Sequence, residues 1–95
     1  MAKFVDLVGV PTTPTAYTAT GSSTQMLAAN SRKGLVVINL GTVNVSFGCG
    51  STAVLNSGIT LVPNGTWVMD QHTFSQAVIN VISGGSAALS IQEYL

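Results

Sequence analysis

The sequence predicts an all-β protein: one β-sandwich or jelly-roll-like domain of about seven to eight short strands, preceded by an extended N-terminal arm. Three observations carry this. Apolar residues alternate with polar ones at period two along most of the chain from residue 34 onward. Turn-forming clusters interrupt these runs at intervals of about 8–12 residues, the spacing of a sandwich or barrel. Helical periodicity is nearly absent. At 95 residues the chain is long enough for one domain and too short for two cores.

The strongest strand lies at residues 34–40, where Val36, Val37 and Ile38 sit in a nearly continuous apolar run. Such a run suits a strand covered on both faces. Gly41 and Thr42 break it. Residues 43–49 then alternate, with Val43, Val45, Phe47 and Cys49 on one face, and the two runs read as a hairpin. A short strand is expected at 53–55 and another at 59–62, the latter stopped by Pro63, Asn64 and Gly65. Residues 66–70 place Trp67 and Met69 on one face and Val68 on the other. Strands at 77–83 and 87–95 follow, with Leu89, Ile91, Glu93 and Leu95 sharing a side. Residues 23–29 form no convincing capping box and are read as extended.

Residues 1–15 differ. Pro11 and Pro14 cannot donate to a ladder, which keeps this stretch out of a sheet centre. The expected division is an arm at 1–15 and a sandwich at 16–95. Phe4 and Leu7 make the arm too apolar for a free tail, and burial against another chain is expected for both.

Charge is scarce. Three basic and three acidic residues make 6% of the chain, against about 25% in ordinary soluble domains, and the net charge is zero. Such a surface tends to associate. Homo-oligomerisation or incorporation into a larger body is therefore expected, with a sticky monomer as the plainer alternative. Zero net charge opposes broad electrostatic binding of nucleic acid. No segment approaches the roughly 20 apolar residues of a membrane-spanning helix, and residues 7–10 are too short for a signal-peptide core. A protein made and assembled in a cytoplasm is expected. Cys49, the single cysteine, reads as a small buried hydrophobe.

Catalytic chemistry is hard to find. Asp70, His72 and Ser75 are close in sequence, but no nucleophile-elbow motif accompanies them. Asp70 and His72 supply two ligands where catalytic zinc takes three. The glycines match no phosphate-binding signature. No enzyme, cofactor or metal is expected. Trp67 and Tyr17 could stack on sugars, yet Trp67 beside Met69 suits core or subunit-interface packing better. Arg32 and Lys33, the only basic pair, read as a solvated turn.

Arg32, Lys33 and Gly34 lead into Leu35, Val36, Val37, Ile38 and Asn39. Gly41, Val45 and Gly48 follow, and later the step from Gly58 through Leu61 and Pro63 to Gly65. With the closing Ile91, Gln92, Glu93 and Tyr94, this pattern resembles small virion proteins of tailed bacteriophages, capsid decoration (cement) proteins among them. The resemblance spans about two-thirds of the chain and rests mainly on turn and strand grammar. It implies a jelly-roll-like fold, many copies per particle and no catalysis. The function it implies is to bind the major capsid protein on the capsid surface as a homo-oligomer, with a trimer favoured. Arg32 and Lys33 could meet acidic groups of that partner. Phe4, Leu7, Arg32, Lys33 and Trp67 are thus the candidate assembly contacts. A tail, collar or fibre component and a carbohydrate-binding module are the alternatives.

Overall fold

A computed structural model describes residues 10–69 and 75–95. These residues form eight strands: β1 (Thr15–Ala19), β2 (Thr24–Leu27), β3 (Gly34–Asn39), β4 (Val45–Cys49), β5 (Ile59–Leu61), β6 (Thr66–Met69), β7 (Ile79–Ser83) and β8 (Ala87–Tyr94). The pairs β4–β5, β3–β6, β2–β7 and β1–β8 are all antiparallel, so the chain folds back on itself as one long hairpin. Winding that hairpin joins β3 to β8 and β4 to β7. The result is two four-stranded sheets, sheet A in the order β1-β8-β3-β6 and sheet B in the order β2-β7-β4-β5. This is the strand order of a jelly roll.

Alternation along the strands fills the space between the sheets. Leu35 and Val37 of β3, Trp67 and Met69 of β6, and Leu89 and Ile91 of β8 point inward from sheet A. Val45, Phe47, Leu61, Ile79 and Val81 meet them from sheet B. Trp67 and Phe47 join the layers, their ring centroids 5.0 Å apart and tilted by 44°, a geometry aromatic pairs favour. Asn39 ends β3 inside the protein. Its amide donates to the carbonyls of Val43 and Leu61 and its side-chain oxygen accepts from Gly41 N–H, so a buried polar group is fully used at the corner. At the β5–β6 connection, Gly65 N–H donates to Val62 C=O, and Asn64 carries the positive φ of 66°. Pro63 before it completes the residue preferences of a type II turn.

Four expectations change. β3 is buried on one face only: Val36 and Ile38 remain half-exposed on the outer side of sheet A. Residues 53–55 form no strand. A turn bonding Ser57 N–H to Val54 C=O instead lays this loop across the outer face of sheet B. Cys49 is exposed rather than buried, because β4 ends there at the rim of the sandwich. Finally, β3 and β4 do not form the expected hairpin: the Gly41 connection carries the chain from sheet A across to sheet B, where β4 pairs with β5 and β7.

The crossing loop rests on Gly48. A Cβ at this position would lie 2.5 Å from Ser51 O and 2.9 Å from Thr52 O, both backbone atoms. Gly48→Ala must therefore lift the loop, which also receives bonds from Asn80 Nδ2 to Ser51 O and from Asn56 N–H to Ser46 Oγ. A loss of about 1–3 kcal/mol is expected in chemical denaturation. Gly21→Ala, whose Cβ would meet nothing nearer than 3.9 Å, is the matched control and should leave the midpoint unchanged.

Candidate assembly surfaces

Arg32 is not part of a solvated turn. Its side chain is 0% exposed, and four separate groups surround the guanidinium. Nε donates to Glu93 Oε2 at 3.0 Å, Nη1 to the carbonyls of Ser75 and Ala77, and Nη2 to the carbonyl of Ala28, the last three at 2.7 Å. Glu93 lies on β8 of sheet A, while Ala28 follows β2 and Ala77 precedes β7 of sheet B. The planar fork thus ties the two layers together at one end, a task suited to five fixed donors. Asn30 completes the cluster by donating from Nδ2 to the same carboxylate oxygen and accepting from Arg32 N–H. With its surface enclosed, this side chain has nothing to offer an acidic group on another protein. Lys33 is half-buried, and its N–H donates to Tyr94 C=O.

Trp67 is 9% exposed and belongs to the core through Phe47. Tyr17 packs against the same core, and its hydroxyl is 2.7 Å from Thr24 Oγ1. Neither ring is a bare platform for a sugar. Phe4, Leu7, Asp70 and His72 lie outside the described residues. Ser75 Oγ accepts from Ala77 N–H, and no group of three His, Cys, Asp or Glu side chains able to hold a metal occurs among the described residues. Surrounding protein atoms push the Cys49 thiol above its ordinary pKa, with Arg32 acting in the opposite sense.

Where it is described, the arm is docked on its own domain. Val10 and Leu95 exchange backbone bonds of 2.7 and 2.9 Å, and Thr12 N–H donates to Glu93 C=O. Residues 10–12 therefore run beside the end of β8 at the edge of sheet A, where Pro11 and Pro14 cost no ladder bond.

The outer faces of the two sheets are unlike. On sheet B, the loop at 51–56 covers Ser46 and Gly48, and both are buried. On sheet A, no described segment crosses the outer face. One row across its four strands reads Thr66, Ile38, Ser90 and Ala16 in register. The next reads Val68, Val36 and Gln92, and Ala88 faces Thr18 beyond. None of these side chains is charged, and Val68 is 61% exposed.

No family model matches the chain, and neither the curated proteins nor the solved structures contain a significant match to it.

Proposed function

We propose that this chain is a non-enzymatic structural subunit of a tailed-phage virion. It would act as a capsid decoration protein that binds the major capsid protein shell in many copies, assembled in the host cytoplasm. The observation that supports this best is the outer face of sheet A, four strands wide and without a charged side chain among the described residues, on a chain of zero net charge. A freely diffusing domain gains nothing from such a face, whereas a subunit surrounded by neighbours avoids the desolvation cost of burying ions. The Arg32 clip and the Trp67–Phe47 contact supply rigidity. Many modest contacts acting together supply attachment.

The arm is the proposed anchor. Phe4 and Leu7 stand in the nine residues that precede the docked Val10, a length that reaches at most about 30 Å. A variant beginning at Val10 keeps the bonds of residues 10–12 and is expected to fold normally. Incubated with shells of the major capsid protein from the same phage, the full chain should cosediment at stoichiometric occupancy and the shortened one at tenfold lower affinity or worse. Full-length chain that stays in the supernatant would overturn the decoration reading. Cosedimentation with purified tails instead would move the protein to the tail, collar or fibre.

A further inference from the structure

We propose that residues 10–12 form a strap that opens and closes on the end of β8 as a unit, hinged at Thr13 and Pro14, while the sandwich stays shut. Opening lengthens the arm that reaches the shell. This deepens the arm-anchor reading and rests on it only for the use of the longer reach.

The hinge is written in the register. Pro11 lies opposite Tyr94, and β1 begins with Thr15 opposite Ile91. Four steps along the arm therefore match three along β8, and the extra residue falls at Thr13 and Pro14. That is a β-bulge, which interrupts a ladder and bends the strand carrying it. Pro14 has no N–H with which to mend the ladder. The strap and β1 are thus two separate pairings on one edge of β8.

Hydrogen bonds hold the strap, and burial does not. Val10 N–H donates to Leu95 C=O, and Leu95 N–H to Val10 C=O. The N–H and the hydroxyl of Thr12 both donate to Glu93 C=O, and Gln92 Nε2 donates to Thr12 C=O. None of residues 10–14 is buried, and Val10 is 65% exposed. Beyond the hinge this changes, because Tyr17 packs on the core and Ala19 is fully buried. A segment with exposed backbone bonds and no buried apolar side chain sits at the low end of local stability.

The surface under the strap is fixed independently. Glu93 keeps its carboxylate in the cluster with Arg32 and Asn30, and Tyr94 C=O accepts Lys33 N–H on the β3 side. The end of β8 is therefore tied from its opposite edge whether the strap is on or off. Released at the hinge, the arm grows from residues 1–9 to residues 1–14. Its greatest reach rises from about 30 Å to about 48 Å. One chain can then meet anchor points at more than one distance.

Amide hydrogen exchange on the full chain, read by NMR, tests the strap, with Lys33 as the internal control beside the same end of β8. Val10, Thr12 and Leu95 should share one protection factor, about 100-fold or more below that of Lys33. Gln92→Ala should lower all three together by about threefold or more and leave Lys33 unchanged. A Lys33 amide exchanging as fast as the three would mean that the whole end frays. Three amides as slow as Lys33 would mean that nothing opens. Either result overturns the proposal.

A lock supplies the second readout. Val10 and Leu95 exchange both backbone bonds, which sets their Cα atoms about 5.5 Å apart, within disulfide range. In a Cys49→Ala background, Val10→Cys with Leu95→Cys should, once oxidised, raise Thr12 protection to that of Lys33. The oxidised form should bind shells about threefold or more weakly than the reduced form, since its arm is held short. Equal binding by the two forms would overturn the use of the longer reach. Binding by neither form would sink the arm as anchor, and the exchange data alone would then decide the strap.

Discussion

Replacing Arg32 with Met is expected to lower the unfolding free energy by about 3–5 kcal/mol, the usual cost of breaking a buried ion pair from one side. The Glu93 side chain, 16% exposed, would lose the partner 3.0 Å away. The carbonyls of Ala28, Ser75 and Ala77 would also lose the charged donor that each part-buried bond now uses. Since a small domain holds only about 5–15 kcal/mol in total, milder variants keep the test readable. Arg32→Lys offers a compact charge that cannot reach a fork of partners and should fall between wild type and Met. Adding Glu93→Gln to Arg32→Met removes the orphaned charge and should recover part of the loss. Urea denaturation of wild type, Arg32→Met, Glu93→Gln and the double variant gives the coupling directly. An Arg32→Met midpoint within experimental error of wild type would mean that the clip does not hold the sheets together.

Trp67→Ala should cost a similar amount, about 3–5 kcal/mol, through the cavity it leaves between the layers. The ring is almost fully enclosed and in tilted contact with Phe47, so neighbours on both sheets lose contacts at once. Trp67→Phe should cost less, since an aromatic pair survives. In a double-mutant cycle with Phe47→Leu, a coupling of about 0.5–1.5 kcal/mol is expected from the ring pair itself. Glycan-array binding provides the opposing readout. A Trp67→Ala protein with wild-type stability and lost sugar binding would place Trp67 in a carbohydrate site, against the burial described above.

Legibility in the sequence followed the strength of local signals. The strands β4, β6, β7 and β8 were readable because each pairs alternating apolar residues with a turn signal, as Pro63, Asn64 and Gly65 do before β6, while β3 was read from its continuous apolar run and β5 from the short run that Pro63 stops. The strand β1 was not, since its sequence Thr15–Ala19 places only Tyr17 and Ala19 toward the core. Its identity comes from pairing with β8, about 70 residues away in the chain. The loop at 53–55 was misread because Ala53, Val54 and Leu55 are apolar, yet their place is set by Gly48 and by hydroxyls on sheet B rather than by a partner strand.

The sequence by itself determined the class of the protein. Period-two patterning against a core and the positions of Gly, Pro and Asn are local or compositional properties, and they restrict this chain to a small all-β sandwich. The tertiary structure decided the rest. Arg32 beside Lys33 and Gly34 has the local look of a solvated turn, and only the winding of the long hairpin brings Ala28, Ser75, Ala77 and Glu93 around it. Which sheet face the loop after β4 covers was likewise undecided until that loop fell across sheet B. Both outcomes depend on contacts between residues far apart in sequence, whose geometry no local pattern records and which form only once the two sheets have closed on their core.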